Sequence, residues 1–150
     1  MSSRINYYRA APVAMKAMMA LEEATKTLSL RKSIRELIKM RVSQINGCAY
    51  CLNLHAAEAR AAGISQQKLD VLVAWRESPA FDEKERAALT WAEALTRLET
   101  SGAPDSDYST LAAAFDECEQ VELTLVITTI NAWNRFAVGF RSQHPVDQST

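Results

Sequence analysis

Apolar positions recur along this chain at intervals of three and four, the spacing of helices that each bury one face. Leu30, Ile34, Leu37, Ile38, Val42 and Ile45 fall on one side of a helix, with Ser29 placed to cap its start. An earlier helix opens at Pro12 and runs to about Thr27, with proline at the first position, where its missing N–H costs nothing. Asn46-Gly47 supplies residues that tolerate a left-handed helix end. A third helix follows from about Cys48 to Ala62 and stops at Gly63. At about 100° per residue, Cys48, Cys51, Leu52, His55, Ala59 and Ala62 share one stripe of it, so this stripe faces the interior or a cleft.

Ser65 caps a short fourth helix reaching Trp75, and Asp82-Glu83 opens a fifth with an acidic first turn, through about Leu98. Gly102-Ala103-Pro104 breaks the chain before a short helix near Tyr108–Phe115. The segment from Glu117 to Phe140 contains Leu123-Thr124-Leu125-Val126-Ile127-Thr128-Thr129-Ile130, which has strand propensity. No second run offers it a partner, so it reads as a helix that is either central or at a subunit interface. Residues after Arg141, including Pro145, read as a loose tail. The pattern predicts an all-α fold, a single-domain bundle of about six to seven helices over residues 1–150.

Four glycines and four prolines in 150 residues agree with a mostly helical chain. A hydrophobic share of 48%, a charged share of 23% and a net charge of −1 describe a globular protein. They exclude a general nucleic-acid or anionic-membrane surface, so no nucleic acid and no membrane are expected as partners. Met1-Ser2-Ser3-Arg4-Ile5-Asn6 lacks a signal peptide's apolar segment, and the expected location is cytoplasmic. Thiols are kept reduced there, which makes a Cys-x-x-Cys pair catalytic or metal-binding rather than a structural staple.

That pair is Cys48 and Cys51, with His55 one turn after the second thiol. Residues three and four apart are neighbours on a helix, so Cys48 can meet Cys51 and Cys51 can meet His55. The free amides of a helix start stabilise a thiolate, and an imidazole that titrates near neutrality can take the thiol proton. A thiolate so placed attacks a peroxide oxygen, becomes a sulfenic acid and condenses with its neighbour to a disulfide. Zinc would find three ligands in Cys48, Cys51 and His55 but needs a fourth, and Cys118 and His144 lie far along the chain. No metal or cofactor is expected. The acidic setting of Cys118 makes it a poor nucleophile, and Trp75, Trp91 and Trp133 read as core or interface residues.

The run Arg41-Val42-Ser43-Gln44-Ile45-Asn46-Gly47-Cys48-Ala49-Tyr50-Cys51, followed by His55, resembles the core of the alkylhydroperoxidase D-like branch of the carboxymuconolactone decarboxylase superfamily. Weaker likenesses extend to Trp75–Pro79, Glu85–Leu89 and Asn131–Phe136. The resemblance implies an all-helical homotrimer or hexamer with thiol peroxidase activity. Cys51 would attack the peroxide, Cys48 would resolve, and Glu36 and His55 would move the protons. A dithiol protein or small molecule would return the disulfide to thiols. The periodicity of its own helix puts Glu36 on the solvated face beside Ser33, Met40 and Ser43, and only the family spacing brings it to the site. Some family members carry a histidine between the cysteines where this chain has Tyr50, a candidate to line the substrate pocket. The rival expectations are a lactone decarboxylase of the same superfamily and a non-catalytic oligomeric redox sensor.

Overall fold

The structure, a computed structural model, describes residues 2–146. Its elements are α1 (Tyr7–Ala10), α2 (Pro12–Lys26), α3 (Lys32–Ile45), α4 (Ala49–Ala61), α5 (Gln66–Val71) with a 3₁₀ turn at Leu72–Ala74, α6 (Glu83–Thr96), α7 (Leu98–Ser101), α8 (Asp105–Ala114) and α9 (Glu117–Gly139). No strand occurs among the described residues. α1 and α7 are single turns that the sequence pattern does not mark, and α8 starts three residues earlier than the pattern suggests, just after Pro104.

Local chemistry accounts for most of these ends. Pro12 occupies the first turn of α2, and Ser65 caps α5 by accepting from the Lys68 amide. Asp82 and Glu85 form a capping box at α6, as Asp116 and Glu119 do at α9. Ser29 does not cap α3, contrary to the sequence reading. Its amide and hydroxyl both bind the Glu122 carboxylate on α9, and α3 begins later, after Arg31. The long-range carboxylate wins over a local cap because it also takes the Leu30 amide, at 2.9 Å.

α3 is the axis of the fold and packs against α4, α6 and α9. Leu30, Ile34, Ile38 and Val42 join α6, α8 and α9 in one apolar cluster that includes Leu123, Val126, Ile127 and Ile130. Each such side chain contributes about 1.5–3 kcal/mol by leaving water. Leu37 and Met40 point the other way, into a cluster with Ala59, Leu72, Trp75 and Leu89. α9 is indeed a helix, and its apolar run is satisfied largely within its own chain. The tail is not loose from its first residue, because the Ser142 amide donates to Ala137 O at 2.8 Å and its hydroxyl meets Tyr7 Oη. Residues 147–150 of that tail lie outside the described residues. Among the described residues, no helix is long and apolar enough to cross a membrane.

Candidate active site

The turn between α3 and α4 sets the cysteine pair in place. Gly47 has φ +64°, a conformation that favours glycine, and it reverses the chain so that the Cys48 amide donates back to Ser43 O. The Asn46 side chain donates to Asn131 Oδ1 at 3.0 Å and Asn134 Oδ1 at 2.9 Å, both on α9. Asn134 in turn donates to Ser43 Oγ. This amide network fastens the turn to the long helix. Cys48 then becomes the N-cap of α4, its Sγ accepting from the Cys51 amide at 3.3 Å.

Cys48 and Cys51 are joined in a disulfide and packed on Ala137 of α9. Both are buried, Cys51 at 3% exposure. Of the two, Cys51 lines a cavity of 210 Å³ whose walls also include Tyr7, Tyr8, Tyr50, Leu54, His55 and Trp133. Tyr50 stands partly exposed on this wall, in the first turn of α4. Three of these wall residues, Tyr7, Tyr8 and Trp133, come from helices remote from the Cys-x-x-Cys motif in sequence. Burial holds the Tyr8 phenol above its usual range, so it stays a neutral hydrogen-bond donor.

His55 is buried on the predicted stripe. Its Nδ1 lies 2.6 Å from Glu58 Oε2 and 3.7 Å from Glu36 Oε2. With Nδ1 committed to carboxylates, Nε2 is the nitrogen left for chemistry in the pocket. The three acid and imidazole atoms lie within 4.8 Å of one another.

Glu36 is not the surface residue that periodicity suggests. Its side chain is 7% exposed, because α3 is covered on the α2 and α4 side as well as on its apolar face. Lys39 meets Glu36 Oε1 at 3.4 Å and Glu22 Oε1 at 3.2 Å, and Trp133 Nε1 donates to Glu22 Oε2. Glu36 Oε2 is buried without a hydrogen-bond partner. Lys39, Glu22 and Glu58 escaped the sequence reading. Charge pairing at i,i+3 was the only local signal for Lys39, with Glu36, and for Glu58, with His55, whereas Glu22 meets Lys39 across 17 residues and had none.

Behind the site, Glu93 of α6 joins Arg41, in the run that leads to the cysteines, to Trp75 and Arg76 of the Trp75–Pro79 segment. Its Oε1 accepts from Arg41 Nε at 2.7 Å and from Trp75 Nε1 at 2.9 Å, and its Oε2 pairs with Arg76. Burial pushes the Glu93 carboxyl up, but hydrogen bonds from Trp75, Arg41 and Arg76 outweigh it and hold it below the usual range.

The model of the carboxymuconolactone decarboxylase family matches residues 12–94, more than half of the chain. The chain belongs to the carboxymuconolactone decarboxylase family. Within it the chain falls in the alkylhydroperoxidase D-like branch. It is 42% identical over 138 residues to uncharacterized protein YdfG of Bacillus subtilis (strain 168), covering 92% of this chain and 94% of that one. Among solved structures, ATU0492 from Agrobacterium tumefaciens superposes with a TM-score of 0.95 at 49% identity, over 97% of this chain and 100% of that one. ATU0492 is a protein of unknown function suggested to be the antioxidant defence protein AhpD. An uncharacterized peroxidase-related protein from Ralstonia eutropha JMP134, described as an alkylhydroperoxidase AhpD core, shares the fold, with a TM-score of 0.80 at 22% identity over 94% of this chain and 75% of that one. The matched family region contains Glu36, Cys48, Cys51 and His55 but not α1 or α9, which supply Tyr7, Tyr8 and Trp133 to the cavity wall.

Proposed function

We propose that this protein is a thiol-dependent peroxidase that reduces hydrogen peroxide or organic hydroperoxides through Cys51 and Cys48. The observation that carries the reading is the pairing of a cavity-lining Cys51 with a buried histidine backed by carboxylates. In the reduced protein His55 Nε2 takes the Cys51 proton, and the thiolate attacks one peroxide oxygen. The O–O bond breaks, the leaving oxygen takes the proton from Nε2, and alcohol or water departs. Cys51 is left as a sulfenic acid. The Cys48 thiol then attacks Cys51 Sγ, the S–S bond forms and water leaves. A dithiol reductant restores both thiols by exchange, itself becoming a disulfide. Such a cycle fits a reducing compartment such as the cytoplasm.

The cavity favours this chemistry over lactone decarboxylation. A carboxylated substrate would meet Glu22 and Glu58 in the same wall, where Lys26 is the one lysine or arginine among the described residues. Stopped mixing of reduced protein with one equivalent of cumene hydroperoxide tests the proposal. Disulfide between Cys48 and Cys51 should form stoichiometrically with release of one equivalent of alcohol. Recovery of intact hydroperoxide and free thiols would defeat it.

A further inference from the structure

The histidine of the proposed relay is held by two carboxylates, and the closer one is not part of the family spacing. Glu58 Oε2 stands 2.6 Å from His55 Nδ1, whereas Glu36 Oε2 is 3.7 Å away. We propose that Glu58 is a positioning residue for His55. It holds the ring in the Nδ1–H form, leaves Nε2 for Cys51, and shares with Glu36 the charge of the imidazolium that forms when the ring takes the thiol proton. This inference rests on the peroxidase reading only in naming His55 as the base for Cys51.

The geometry of α4 produces the contact directly, since residues three apart lie on one face and Glu58 is one turn beyond His55. The two carboxylates differ in surroundings. Glu36 is buried and its Oε1 is bound by Lys39, which also pairs with Glu22. Glu58 has a side chain 46% exposed, and it lies on the rim shared by the Cys51 cavity and a second cavity of 340 Å³ behind Glu36. The other charged groups around it are Lys26 of α2, whose ammonium is bonded to Glu23, and Lys32 and Arg35 of α3 in the second cavity. Tyr7 and Tyr8 of α1 and Tyr50 of α4 are the remaining titratable groups in the wall of the Cys51 cavity, which Trp133 and Ala137 of α9 also line. His55 is therefore the basic group hydrogen-bonded to Glu58. That hydrogen bond holds the Glu58 carboxyl below its usual range against the opposing effect of partial burial, as expected of a carboxylate that stabilises a proton on its neighbour.

The proton balance is closed. The thiol proton passes to Nε2, Nδ1–H stays hydrogen-bonded to Glu58, and the Nε2 proton leaves with the alcohol when the O–O bond breaks. The Glu36 oxygen without a partner gives the imidazolium a second acceptor on the buried side.

The test needs no peroxide, so its outcome is independent of which oxidant is the substrate. Iodoacetamide alkylation of Cys51 in reduced protein is followed against pH by peptide mass spectrometry, for wild type and Glu58→Gln. Loss of a carboxylate that stabilises the imidazolium moves the alkylation midpoint up by about one pH unit. Loss of a carboxylate that merely adds negative charge near the thiol moves it down. An unchanged or lowered midpoint overturns the proposal. Nitrogen-15 NMR of the His55 ring in the wild type gives a second reading that no variant can spoil by misfolding: the neutral ring is expected as Nδ1–H, and an Nε2–H ring overturns the proposal.

Discussion

Glu36 Oε2 lies 3.7 Å from His55 Nδ1, across the seam between α3 and α4, and it is the unpartnered oxygen of a buried carboxylate. A buried acceptor left unpaired costs about 1–3 kcal/mol in a resting fold. A proton taken up by the imidazole would give that oxygen a charged neighbour to offset the cost. The contact brings together side chains from the two helices that flank the Cys-x-x-Cys turn.

The two thiols should differ in role. Cys51→Ser is expected to abolish oxidation at the site, because Cys51 lines the cavity. Cys48→Ser should leave Cys51 able to oxidise once and accumulate as a sulfenic acid, since the resolving thiol is gone. A sulfenic-acid probe read by peptide mass spectrometry decides it. Equal labelling in both variants would reverse the assignment.

Much of this was legible in the sequence. The stripe of Cys48, Cys51, His55 and Ala59 is buried as its spacing requires, and the helix ends at Pro12, Gly47, Gly63, Ser65 and Asp82 follow from residue chemistry acting over one turn. The failures are long-range. Ser29 looks like a cap until Glu122, far along the chain, takes its hydrogen bonds. Glu36 looks solvated until α2 and α4 close over its face, and Lys39 and Glu22 supply the charge that makes burial tolerable. The cavity wall is hidden for the same reason, since Tyr7, Tyr8 and Trp133 converge only through tertiary packing.

Asn134 is expected to hold the site together without chemistry. It is 1% exposed and links Asn46 of the turn to Ser43 of α3. Asn134→Leu leaves the buried Ser43 hydroxyl unpaired and reduces Asn46 to its bond with Asn131, which should cost about 1–3 kcal/mol in urea unfolding and slow disulfide formation in parallel. A change below roughly 0.5 kcal/mol would show the network to be dispensable.

Glu93 should account for part of the acid sensitivity of the fold. Its folded carboxyl titrates below the usual range. Its stabilising contribution is thus full above about pH 4.3, where the unfolded glutamate is also ionised, and it is lost as pH falls through the folded value. Glu93→Gln should lower the melting temperature at neutral pH and flatten the acid limb of the stability profile. Parallel acid limbs in variant and wild type would contradict this.

Assembly follows from what the chain leaves uncovered. Val13 and Met19 of α2 are exposed apolar side chains, as are Tyr50 and Leu54 of α4 in the wall of the Cys51 cavity. A neighbouring copy that covers them would also shield the Cys51 cavity, and the family resemblance implies a trimer or hexamer. Light scattering at micromolar concentration should report at least three copies, and a monomer with full activity would remove this part of the account.

A peroxidase turns over repeatedly, whereas a sensor is oxidised once. Steady-state consumption of cumene hydroperoxide in the presence of a regenerating dithiol separates the two most directly. Many turnovers per subunit are expected, abolished in Cys51→Ser and reduced by at least about tenfold in His55→Ala. One stoichiometric burst followed by no further consumption, with the dithiol still able to reduce the Cys48–Cys51 disulfide, would instead make the protein a redox sensor and contradict the peroxidase reading.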